Sequence, residues 1–170
     1  MKNTILDSEH IYTLSVSVSN KPGVLARIAQ VFARRAYNID SLVVSSSVDG
    51  QFSRMTITAK GDPKGLDQII KQVNKLVDVI DCVDHTEENA VIQELALIKV
   101  AANLDQRSEA LQVVEHFKCK TVDLTESSMM IMVTGTTEKI DALIKMIQKY
   151  KIIELVRTGK VLMARGNPGS

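Results

Sequence analysis

The residues best placed to hold a small ligand are contiguous: Ser19-Asn20-Lys21-Pro22-Gly23-Val24-Leu25-Ala26. The proline ring fixes φ near about −65° and suits the first position of a helix, while the residue before it is pushed toward extended geometry. This predicts a helix that opens at Pro22, with Lys21 still extended. The amides of Gly23, Val24 and Leu25 would then lack acceptors at the positive end of the helix dipole and could donate to an anion such as a carboxylate. Gly23 has no Cβ to keep a ligand off the backbone, and Asn20 offers a donor and an acceptor just outside the helix. The same residues also describe an ordinary helix start capped by Asn20.

No other chemistry is spelled out as clearly. His10, His85 and His116 are widely spaced and share no ligand pattern, so no metal is expected. Cys82 and Cys119 form neither a CxxC pair nor a Cys/His set, which suits a reducing, cytoplasmic setting, or a plastid for a processed plant chain. No Ser/His/Asp arrangement can be argued. A formal net charge of +1 gives no sign of a nucleic-acid or membrane surface, and Met1–Asp7 lacks the apolar core of a signal peptide. Arg34 and Arg35, at the end of the first predicted helix, suit the negative pole of its dipole.

The elements that must position the loop can be read from periodicity. Tyr12, Leu14, Val16 and Val18 alternate with Thr13, Ser15, Ser17 and Ser19, a strand with one apolar face and one small, polar face. Val24, Leu25, Ile28, Val31 and Phe32 recur at helical spacing after the loop. A second strand runs through Leu42–Val44, Asp49-Gly50 supplies a tight hairpin turn, and a third strand carries Met55, Ile57 and Ala59. Asp62-Pro63 marks the next helix as N-cap and first position, and Val77–Val83 reads as a fourth strand. This is β-α-β-β-α-β, the order of a ferredoxin-like α+β sandwich. The polar stretch Thr86-Glu87-Glu88-Asn89 is the expected boundary, and the same order follows again to about residue 165. There the place of the Pro-Gly loop is taken by Asn103-Leu104-Asp105. Val161–Met163 adds a short strand, and Asn167–Ser170 looks like a loose tail. Two tandem ferredoxin-like domains are expected, at 10–85 and 90–165.

Asn20-Lys21-Pro22-Gly23-Val24-Leu25-Ala26-Arg27, Ala36-Tyr37-Asn38-Ile39, Ser53-Arg54-Met55-Thr56, Glu94–Val100 and Arg157-Thr158-Gly159 stand in one order from about Tyr12 to Arg165. On these blocks the first half resembles an ACT domain, and the chain resembles the regulatory small subunits of acetohydroxyacid synthase, also called acetolactate synthase. One departure is Ala36, where many members have glycine.

The resemblance implies a chain without an active site of its own, forming a homodimer or larger homo-oligomer. It would bind a catalytic large subunit that carries thiamine diphosphate, Mg²⁺ and FAD, raise that subunit's activity, and confer feedback inhibition by valine or by leucine or isoleucine. The effector residues it implies are Asn20, Lys21, Pro22, Gly23, Val24 and Leu25 of one chain with Asn38 and Ile39 of its partner. In that arrangement Val24, Leu25 and Ile39 would wall the aliphatic side chain. A free-standing ACT-type sensor acting on another enzyme is the alternative. RNA binding, which some ferredoxin-like modules perform, would require exposed stacking aromatics, and Tyr12 and Phe52 alone do not make that platform.

Overall fold

A computed structural model of the chain describes residues 10–87 and 89–166. The expectations for Met1–Asp7, Glu88 and Asn167–Ser170 fall outside the described residues.

The first unit contains β1 (His10–Ser19), α1 (Val24–Arg34), β2 (Asn38–Ser46), β3 (Phe52–Gly61), α2 (Pro63–Val73) and β4 (Val79–Asp84). Its strands form an antiparallel sheet in the order β2-β3-β1-β4. Leu14, Val16 and Ile57 are fully buried against Ile28, Phe32 and Ile69 of the two helices, so the core lies between sheet and helix layer. The middle of the opposite face is also closed to solvent, with Thr13, Ser15, Thr56 and Thr58 buried, while Ile11 and Arg54 toward its ends are exposed and Ser17 is half-buried. Over Thr13–Val16 the alternation in β1 therefore separates apolar from hydroxyl-bearing side chains, not inside from outside.

The second unit repeats the order. It contains β5 (Ala90–Ala101), α3 (Leu104–His116), β6 (Lys120–Leu124), β7 (Ser128–Gly135), α4 (Thr137–Ile147) and β8 (Ile152–Arg157), in the sheet order β6-β7-β5-β8. The short strand β9 (Val161–Ala164) pairs with β5, although its residues from Leu162 on group with the first unit. Ile98, Ile131, Ile140 and Leu143 form the centre of its own core. The protein is thus α+β with two βαββαβ sandwiches, as the sequence implies.

Two details depart from the expected elements. The β2–β3 connection spans residues 47–51, with Gly50 N–H on the Ser47 carbonyl at 3.0 Å, and only Gly50 takes positive φ. It is a five-residue loop, because Asp49 uses its carboxylate to accept from Gln51 N–H at 3.1 Å and not its backbone to turn left-handed. The fourth strand begins at Val79 because Leu76 accepts a turn bond from Val79 N–H, leaving Val77 fully exposed.

The first helix of each unit ends in the same way. Ala36 and Lys118 are the two non-glycine residues with positive φ among the described residues, at 56° and 52°. Tyr37 N–H bonds Phe32 O and Ala36 N–H bonds Ala33 O, and Cys119 and Lys118 repeat the pair on Val114 and Glu115. This is the paired capping that a left-handed residue makes at a helix C-terminus. The glycine common in the resembling family at position 36 has its physical reason in this backbone. Tyr37 then packs where a Cβ on Gly61 would lie 2.2 Å from its ring, and its hydroxyl donates to the Asp62 carbonyl. Burial and the nearby Asp62 hold that hydroxyl above its ordinary pKa, so it stays a donor.

Candidate functional site

α1 begins at Val24, two residues later than the proline suggests. Gly23 is its N-cap at φ 82°, a left-handed conformation that glycine adopts without penalty, so the glycine and not the proline sets the helix start. The first helical bond runs from Arg27 N–H to Gly23 O at 3.2 Å. The free donors are therefore the amides of Val24, Leu25 and Ala26, a register shift from the expected Gly23, Val24 and Leu25.

No side chain caps this helix, and its first turn holds no acidic residue. The other three helices are capped in the usual way, by Asp62 on Lys64 N–H, Asn103 on Gln106 N–H and Thr136 on Lys139 N–H. Asn20 does not take that role at α1. Its Nδ2 donates to the Gly50 carbonyl at 3.0 Å, tying the end of β1 to the β2–β3 loop. Its side-chain oxygen and second amide hydrogen remain available.

Two cations flank the loop and share one carboxylate. Lys21 Nζ lies 3.3 Å from Asp78 Oδ1, and Arg27 Nη2 lies 2.7 Å from Asp78 Oδ2. Asp78 is buried and its own carbonyl accepts from Ser19 N–H at 2.8 Å, so one residue fixes the strand end, the loop and the first turn of α1. Sequence reasoning did not find Asp78, which stands more than fifty residues from both partners without a local motif.

The side chains divide differently from expectation. Val24 is buried in the core at 3% exposure and cannot wall a ligand; only its amide faces outward. Leu25 is 41% exposed beside it, while Asn20, Lys21, Pro22 and Gly23 are all exposed. A Cβ built on Gly23 meets nothing within 4 Å, so there is open space at the N-cap itself.

Asn38 and Ile39 lie elsewhere in the same chain. Ser19, just before Asn20, pairs with Phe52 of β3, whereas Asn38 pairs with Lys60. At about 3.4 Å per residue the two asparagines are separated by about 27 Å along β3, at opposite ends of the sheet. One chain cannot bring both to one small ligand. Asn38 donates to Asp40 Oδ1 at 3.2 Å and keeps its side-chain oxygen free, and Ile39 is half-buried against the core.

Among the described residues no group of three or more His, Cys, Asp or Glu side chains could hold a metal, and no helix is long and apolar enough to cross a membrane. Burial pushes the Cys82 thiol up to about 12, leaving it unreactive.

The model of the acetohydroxyacid synthase (AHAS) small subunit-like ACT domain matches residues 14–81, and that of the small subunit of acetolactate synthase matches residues 93–166. The acetolactate synthase small subunit of Mycolicibacterium smegmatis is 44% identical over 158 residues, covering 93% of each chain. The chain belongs to the acetolactate synthase small-subunit family. A probable acetolactate synthase small subunit of Archaeoglobus fulgidus is 46% identical over 156 residues, 92% of this chain and 98% of that one. The crystal structure of the acetolactate synthase small subunit from Thermotoga maritima superposes with a TM-score of 0.82 at 38% identity, over 94% of this chain and 99% of that one. In this small-subunit family setting, the first unit is an ACT domain and the second its C-terminal companion.

Proposed function

We propose that the chain activates the catalytic large subunit of acetolactate synthase and makes it sensitive to valine, or to leucine or isoleucine, bound between two ACT domains spanning about residues 10–85. In this reading the thiamine diphosphate, Mg²⁺ and FAD belong to the large subunit, and this chain supplies regulation. The single observation that carries the site is the start of α1, which no side chain caps and whose N-cap Gly23 has open space at its Cβ position.

The chemistry of a free aliphatic amino acid fits these groups. Its carboxylate takes the amides of Val24, Leu25 and Ala26 and the remaining hydrogen of Asn20; a helix terminus contributes about 0.3–2 kcal/mol to an anion. Its ammonium needs an acceptor, which the Asn38 oxygen of a second chain supplies. Its side chain packs on Leu25 and on Ile39 of that second chain, worth roughly 1.5–3 kcal/mol. The separation of Asn20 and Asn38 in one chain is the reason two chains are required. With binding entropy subtracted, micromolar to millimolar affinity is expected, about −8 to −4 kcal/mol.

Inhibition then follows from linkage. The amino acid must bind more tightly to an arrangement of the two ACT domains that supports the large subunit less well, and a coupling of about 1–3 kcal/mol suffices for a 5–150-fold response. Calorimetric titration of the dimer with each branched-chain amino acid, repeated on the complex reconstituted with the large subunit, tests this. One bound amino acid or more per dimer, with falling acetolactate formation, is expected; no heat with any of the three overturns it.

A further inference from the structure

The other end of α1 borders a second concave feature. A cleft of about 730 Å³ opens between the end of α1 and one side of α2, within the volume range of small-ligand sites. Three cations line it, Arg34, Arg35 and Lys75. Val31, Ala36 and Leu76 give it an apolar floor.

The cations keep donors that could receive a ligand. Arg35 is oriented by its Nε, which donates to Gln72 Oε1 at 3.3 Å and leaves the terminal nitrogens of its guanidinium uncommitted. The side chains of Arg34 and Lys75 make no hydrogen bond or ion pair among the described residues. Arg34 in the last turn of α1 and Arg35 at its C-cap also suit the negative pole of that helix, and Lys75 follows Asn74, the C-cap of α2, so the two helix ends bring all three cations to one side of the cleft.

The cleft is also polarised. Its one carboxylate, Asp62, precedes α2 and accepts from Lys64 N–H at 3.3 Å, while Gln72 and Lys75 lie at the far end of that helix. At 1.5 Å per residue the two ends are about 15 Å apart. An anionic head suits the Arg34–Arg35–Lys75 end, where guanidinium forks can hold two oxygens at once, and a second negative group is disfavoured near Asp62.

We infer that this cleft binds a small organic anion with its charge concentrated at one end, a phosphate or carboxylate head on Arg34, Arg35 and Lys75, and an uncharged body along Val31, Ala36 and Leu76. The site is separate from the amino-acid site and does not rest on it. It gives the ACT domain a second input at the opposite end of the same helix.

Amide chemical shifts of the full-length isotope-labelled protein provide the test, with inorganic pyrophosphate and butyrate as probes against sodium chloride at matched ionic strength. Saturable shifts at Arg35, Ala36, Gln72 and Lys75 are expected, at least tenfold weaker in affinity in the Arg34→Ala/Lys75→Ala variant, whose exposed side chains leave the core intact. Saturation by pyrophosphate alone assigns phosphate heads and by butyrate alone carboxylate heads. Shifts no larger than those with chloride, or an unchanged affinity in the double variant, overturn the site. The valine heat of both proteins is recorded in parallel; its presence or absence bears on the amino-acid site and leaves this result standing.

Discussion

Arg27 donates to Asp78 across 51 residues of sequence, joining the first turn of α1 to the residue that precedes β4. Lys21 reaches the other oxygen of the same carboxylate, so the loop between them is held at both ends by one buried acid. Asp78→Ala removes both contacts. Because the two cations are half-exposed or more, the loss in stability should be only about 1–2 kcal/mol, less than for a fully buried pair. Urea denaturation of the full chain measures it. The loop loses its anchor in the same variant, so valine affinity should fall further than stability alone explains.

Ala36 carries a left-handed backbone that costs an alanine about 1–2 kcal/mol and a glycine almost nothing. Ala36→Gly should therefore stabilise the chain by about 1 kcal/mol, after the added freedom of glycine in the unfolded state is subtracted. Lys118→Gly should act likewise in the second unit, and the two effects should add because the sites share no partner. Thermal melting of the single and double variants reads the gain. An unchanged or lowered melting temperature for Ala36→Gly would contradict the capping argument.

Much of this was legible in the sequence, and the misses have identifiable causes. Alternation in Tyr12–Ser19, the Asp62-Pro63 cap and the repeated element order are local signals, and each appears in the fold. The helix start was misplaced because a proline at the first helical position and a glycine in a left-handed cap compete for the same turn, and only φ decides between them. Val24 fits either a ligand wall or a core position by residue type; helical phase places it inside with Ile28 and Val31. Asp78 could not be found because its role exists only once β4 is folded beside β1. The proposal of a two-chain site rests on register, which places Asn20 and Asn38 at opposite ends of β3.

Cys82 gives a pH dependence with a definite sign. Burial raises its thiol from 9.0 to about 12 in the folded chain, with Asp81 and Asp84 adding to the shift. The unfolded chain can ionise the thiol from about pH 9, while the folded one resists until about 12. The thiol thus leaves stability untouched below pH 9 and withdraws it progressively between pH 9 and 12. Denaturation midpoints measured across that range should fall less steeply for Cys82→Ala than for the unaltered chain. Parallel slopes would show that the thiol is not desolvated.

The uncapped end of α1 is proposed to receive the carboxylate of a free aliphatic amino acid. Gly23→Asp is the sharpest test, because the new carboxylate would stand at the N-cap, beside the helix-start amides. The measurement is valine inhibition of acetolactate formation by the complex reconstituted from this variant and the large subunit, after the variant's folding and activation have been verified. Activation is expected to survive while the valine concentration for half-inhibition rises at least tenfold. Inhibition at unchanged valine concentrations, in a folded and activating variant, would contradict it.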